Sequence, residues 1–189
     1  MKKTAVLQKR TAYFSTKHFF MPKPIEGTFP PYFATYINKV KEENITDAFR
    51  NQQAFLNDFF DGIPEEKTKE GYAPGKWTLK ELLQHIIDAE RIFAYRSLCI
   101  ARKETLSLPG FNENEYAANS QANTRSWKNI VEEMKQVRKS TEMLFESFSD
   151  NMLNQVGLSN NNQITVNALG FIMVGHLVHH VGVIKERYL

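Results

Sequence analysis

Only one cysteine, Cys99, occurs in 189 residues. An intramolecular disulfide is therefore excluded, and a reducing, cytoplasmic setting is the one that suits the chain. Cys99 lies in the apolar run Ser97-Leu98-Cys99-Ile100, where burial as an inert small hydrophobe is expected. No uninterrupted stretch of about 18 apolar residues is present, so no segment reads as a membrane span. Convincing period-two alternation and internal repeats are missing, which argues against a sheet-based fold. Acids are absent from residues 1–21, which hold Lys2, Lys3, Lys9, Arg10 and Lys17. Taking those five from the 24 basic residues leaves 19 against 21 acids. The formal net charge of +3 thus conceals a nearly neutral body without the basic face expected of a nucleic-acid-binding domain. Gln8-Lys9-Arg10 also interrupts the short apolar run that a cleavable secretory signal needs. Residues 1–21, including His18, read as a disordered basic leader, with Met21 as an alternative start of translation. Residues 22–189 read as a single domain.

The body has the composition of a globular chain, 42% hydrophobic and 12% aromatic, enough to bury a core. Pro22, Pro24, Pro30 and Pro31 make its start extended and turn-rich, with a short helical piece over Tyr32 to Lys41. Four longer segments show apolar residues at spacings of three and four. The first spans Ile45 to Asp61 and stops at Gly62 and Pro64. The second runs to Arg102 from Thr78, which forms a capping-box pattern with Glu81. The third runs from Ser126, its cap, to Phe148, and the fourth from Thr165 to the C-terminus. Phe111 to Ser120 reads as a polar connection with room for a short helix, and Ser159 to Gln163 as a loop by composition. Similar helix lengths and long crossings predict an all-α, four-helix bundle.

The fourth segment contains Gly175-His176-Leu177-Val178-His179-His180-Val181-Gly182. At about 100° per residue, His176 and His180 stack one turn apart on the stripe that carries Leu169, Ile172, Met173 and Val183. Two imidazoles aimed into a core are costly without a partner, and neutral imidazole is a good ligand for zinc, nickel, iron or copper. His85 lies on the apolar side of the second helix, among Leu82, Ile86 and Ala89. The three rings therefore predict one divalent transition metal bound by His85, His176 and His180 with coordination positions left open. Zinc or nickel heads the candidates, followed by iron or manganese. Against this stands the plainer reading that each is a satisfied core histidine. His179, about 60° from His176, competes as a ligand but is expected at the rim or against a neighbouring helix. Position 177 is Leu, so the His-Glu-x-x-His pattern of a zinc protease is absent.

These stretches resemble a known family. Tyr72-Ala-Pro-Gly-Lys-Trp77 followed by Leu82-Leu-Gln-His-Ile-Ile-Asp-Ala-Glu-Arg91 is similar to the second-helix signature of the DinB/YfiT-like superfamily. Leu108-Pro-Gly-Phe-Asn112 and the terminal run Gly175 to Leu189 match in order, so the similarity covers residues 21–189. The resemblance implies a four-helix bundle, a homodimer, and His85, His176 and His180 as metal ligands. It also implies a small-molecule substrate, with low-molecular-weight thiols as co-substrates of some relatives and hydrolysis assigned to others. Leu177 departs from the family pattern, in which a polar residue, often Glu, is expected there. Asp88 is then the first acid/base candidate, with Glu81 behind it, unless both are solvated surface carboxylates. Arg96 is placed either to meet an anionic substrate or to pair with a neighbouring carboxylate, and Trp77 and Trp127 read as packing anchors. The contrasting reading is a non-catalytic, stress-related dimer that binds a metal or small ligand; nucleic acid and membrane are not expected partners.

Overall fold

In the computed structural model the described residues are 22–189, so the expected leader lies outside them. A 3-10 turn, Pro31–Phe33, leads into the short α1, Ala34–Ile37, within the helical piece expected over Tyr32 to Lys41. The four long helices are α2 (Ile45–Phe59), α3 (Leu79–Ala101), α5 (Trp127–Glu146) and α7 (Val166–Arg187). Their starts are fixed by side chains that satisfy free backbone donors: Asn44, Thr78, Ser126 and Thr165 each accept from the first turn. Between them lie α4 (Glu113–Asn119), capped by Asn112, and the single turn α6 (Asp150–Leu153).

One expectation fails. Residues 156–165 form an antiparallel hairpin, β1 (Val156–Ser159) with β2 (Asn162–Thr165), in register Val156↔Thr165 to Ser159↔Asn162. The loop assigned to the asparagine cluster shrinks to Asn160-Asn161, both left-handed, at φ 48° and 61°. Asparagine tolerates that conformation, and a two-residue turn with both φ positive matches the twist of paired strands. Strands of four residues are too short to display alternation. The fold is thus mostly helical with one small sheet.

The packing order around the bundle is α2, α5, α3, α7: α2 and α3, consecutive among the long helices, each pack chiefly on α5 and α7. Every residue of α7 from Val166 to Leu177 is buried, so its first half is enclosed on all sides. Length and composition alone would let this helix cross a membrane, yet here it is the core of the bundle. α1 lies across α7 at Gly175, where a Cβ would overlap the Tyr36 carbonyl oxygen.

The interior is divided in two. One apolar cluster centres on Phe49, Phe145, Leu169, Phe171 and Ile172, the other on Leu56, Phe60, Leu83, Ile130, Met134 and Leu177. Between them runs a polar layer. Arg138 on α5 is 0% exposed and donates to both carboxylate oxygens of Glu90 on α3, at 2.8 and 2.7 Å. It also donates to Gln52 Oε1 on α2, whose Nε2 donates to the Val174 carbonyl of α7 at 2.7 Å. One buried network therefore ties all four long helices at mid-height, and the Phe49 ring lies 5.3 Å from the guanidinium carbon.

Candidate metal centre

The same level of the bundle holds three histidines. The capping box is complete: Thr78 N donates to Glu81 Oε2 at 2.8 Å, and Glu81 N donates to Thr78 Oγ1 at 3.1 Å. It fixes the phase of α3, so that His85, two turns on, faces α7. His176 and His180 stack one turn apart with ring centroids 4.4 Å apart. His176 Nε2 lies 3.1 Å from His85 Nε2 and 3.0 Å from His180 Nε2, and one ligand nitrogen from each ring falls within 4.8 Å of the other two. His85 and His176 are buried and His180 is half-buried.

These spacings suit a shared cation. A neutral imidazole has one N–H and one lone pair, so His176 Nε2 cannot make a full two-centre hydrogen bond to both neighbours at once. Nitrogens that each stand about 2.0–2.1 Å from one ion are about 3 Å apart when they subtend roughly a right angle at it. Burial holds His85 down to about 4, a fall that the Glu113 carboxylate partly opposes. Burial, then the charges of His85 and His179, brings His180 down to about 3. Burial and the neighbouring imidazoles push His176 well below its usual value. At neutral pH all three rings carry free lone pairs, the form in which imidazole ligates metals. Behind the cluster, His180 Nδ1 is buried without a hydrogen-bond partner among the described residues, so none of these braces that ring from its far side.

The other candidates go elsewhere. His179 turns to the Tyr36 ring, 5.5 Å away, against the neighbouring α1 as its helical phase predicts. Asp88 accepts from Gln84 Nε2 at 2.9 Å, and burial raises its carboxyl among Arg91, Glu133 and Arg125 on the α3–α5 side. It does not join the three rings. Glu81 is engaged in the cap and with Asn123 Nδ2 at 3.0 Å. Arg96 is buried and donates to the Pro109 carbonyl at 2.6 Å, bracing the connection to α4. Leu177, 0% exposed, sits in the second apolar cluster, so a carboxylate at that position would meet core and not the ligand side. Cys99 is half-buried instead of buried.

Three participants were not evident from spacing. Trp77, expected as a packing anchor, is half-buried with its ring 4.9 Å from His85; Trp127 does anchor, donating from Nε1 to the Phe60 carbonyl at 2.9 Å. Tyr36 sets its ring edge-on to His176 at 5.2 Å, and its phenol, raised by burial, hydrogen-bonds Tyr32. Glu113, at the start of α4, supplies the carboxylate charge felt at both His85 and Tyr36. The only local signal for Glu113 was its place after Asn112, a helix cap.

A cavity of about 270 Å³ opens beside His180, lined by Tyr72, Lys76, Trp77, Leu82, Asn114 and Val183, with Gly75 and Tyr188 completing it. The end of α7 clasps its rim. Tyr188 Oη donates to the Trp77 carbonyl at 2.6 Å, and Arg187 donates to Tyr72 Oη at 3.2 Å.

Fold and cluster together define a helical-bundle protein with an internal three-histidine centre beside an open cavity. The chain belongs to the DinB superfamily, which matches residues 48–184. Among solved structures, YfiT from Bacillus subtilis is described as a probable metal-dependent hydrolase with an unusual four-helix bundle topology. It is similar with a TM-score of 0.62 and 16% identity over 87% of this chain and 90% of that one. A mycothiol-dependent maleylpyruvate isomerase is similar at TM-score 0.59 and 12% identity, over 72% of this chain and 58% of that one. At these identities the likeness is one of fold. No curated protein matches the chain.

Proposed function

We propose that the protein is a metal-dependent enzyme in which His85, His176 and His180 hold one divalent transition metal, zinc or nickel before iron or manganese. The observation that carries this is the convergence of three neutral imidazole nitrogens beside a cavity large enough for a small molecule. A divalent ion held there would lower the pKa of a water or a low-molecular-weight thiol reaching it, supplying a nucleophile near neutral pH for hydrolysis or thiol transfer. The chain's own groups do the rest. Trp77, Leu82 and Val183 exclude water from one side of the cavity, and Lys76 and Asn114 offer polar contacts at its rim. Glu113 brings an opposing carboxylate charge to His85, which favours holding a cation there. The unit that does this is the single domain 22–189.

The non-catalytic alternative requires a fourth protein ligand to close the site. His179 faces Tyr36 and Asp88 faces Gln84, and among the described residues the cluster contains three members. An open site is the better reading. Metal analysis of purified wild type and His176→Ala tests it: about one transition metal per chain is expected in wild type and almost none in the variant. Equal metal content in the two proteins removes the proposal.

A further inference from the structure

We infer that the cavity beside His180 takes a small planar organic anion, its ring against Trp77 and its negative group drawn by Lys76 and the ion of the three-histidine centre. The inference rests on the metal reading proposed above and adds the class of ligand. Three neutral imidazoles contribute no negative charge, so a divalent ion held by them keeps its full charge of two. Among the described residues Lys76 is the one charged side chain in the cavity lining, and it adds a third positive charge at the rim. Among the described residues the opposing carboxylates are Glu113, felt at His85, and Glu81, felt at Tyr188, while Arg187 on the Tyr72 hydroxyl adds a further positive charge at the rim. The balance favours an anion, and in a partly enclosed cavity it acts with less screening than at an open surface.

Shape and size follow from the walls. Trp77, Tyr72 and Tyr188 give aromatic surface, and Leu82 and Val183 give aliphatic surface. Tyr72 and Tyr188 meet edge to face at 5.2 Å, and the clasp of Tyr188 on the Trp77 carbonyl holds the tryptophan backbone in place. The cavity is therefore formed before a ligand arrives. Small-molecule sites run to about 300–1,000 Å³, so about 270 Å³ suits a ligand at the small end of that class. Benzoate, a single ring with one carboxylate, serves as a probe.

The test is calorimetric titration of the zinc-loaded and metal-free protein with benzoate, benzamide and cyclohexanecarboxylate, with zinc content measured in parallel. Zinc-loaded wild type is expected to bind benzoate at least about tenfold more tightly than either neutral benzamide or puckered cyclohexanecarboxylate. Removing zinc should shrink the preference over benzamide. Lys76→Gln should weaken benzoate by about fivefold, as for a partly exposed ion pair, leave benzamide unchanged, and be rescued by Lys76→Arg. Lys76 is exposed, so neither substitution threatens the fold. Zinc-loaded protein that binds benzamide or cyclohexanecarboxylate as well as benzoate overturns the ligand class while leaving the metal centre intact. So does a benzoate affinity indifferent to position 76. Protein that takes up no zinc overturns both the centre and this inference, and the zinc measurement tells that failure from the other.

Discussion

Replacing Arg138 by methionine removes the cation from the middle of the bundle and leaves the Glu90 carboxylate, 2% exposed, without its two charge-assisted hydrogen bonds. Gln52 Oε1 loses its donor as well. Breaking one side of a buried pair costs about 3–5 kcal/mol, because the surviving charge stays desolvated and unpaired. For a domain of this size each kcal/mol shifts the melting temperature by about 2–4 °C, so Arg138→Met should melt about 6–20 °C below wild type. The double variant Arg138→Met/Glu90→Leu should recover part of that loss. Apolar replacement of a whole buried pair is often neutral, and the remaining penalty is the orphaned amide oxygen of Gln52, about 1–3 kcal/mol. Thermal and urea melts followed by far-ultraviolet circular dichroism measure both, on metal-free protein so that ligand binding does not mask the difference. A single variant within about 1 kcal/mol of wild type would refute the reasoning. So would a double variant less stable than the single one, because it would mean that the network is not held together by the charge pair.

Gly175→Ala should destabilise by about 1–3 kcal/mol, since a Cβ there displaces the Tyr36 backbone of α1. Gly182→Ala, in the same helix with nothing within 4 Å of the added methyl, should stabilise by about 1 kcal/mol; paired melts that give the same sign for both would contradict the close approach. The metal-free protein should also lose stability in acid. His85 and His180 titrate near 4 and 3 in the fold against an unperturbed 6.5, so the unfolded chain binds more protons between those values. Their contribution is whole above about pH 6.5 and is lost as the pH falls toward 4 and then 3, with a slope of about 1.4 kcal/mol per pH unit for each ring. Urea midpoints across pH 4 to 7 measure this, and a midpoint that is flat through that window would show that the rings are not held neutral.

Much of the framework could be read from short-range pattern. Thr78 and Ser126 cap the helices they were expected to cap, and Thr165 caps the helix it was expected to open, because a cap is a contact within three residues of its own position. His176 and His180 were legible for the same reason, being one turn apart. Their meeting with His85 spans 91 residues and was legible only through the apolar faces of two helices and the family resemblance. The hairpin at Asn160-Asn161 was hidden by its shortness. Arg138 and Glu90 were hidden differently: on separate helices, 48 residues apart, each looks like an ordinary surface charge until the bundle closes. Trp77 and Glu113 come to the site on connecting segments, whose paths periodicity does not describe.

The burial of α7 has a consequence for synthesis. Every other described element precedes it in the chain, so a ribosome releases α1, α2 and α3 before α7, on which all three pack, exists. Until α7 is made, the apolar faces that will cover it stand open, and two of the three histidines do not yet exist. Assembly is therefore deferred until α7 has left the exit tunnel. A message cut short before codon 166 would yield a chain with neither centre nor metal, a substrate for chaperones and proteases.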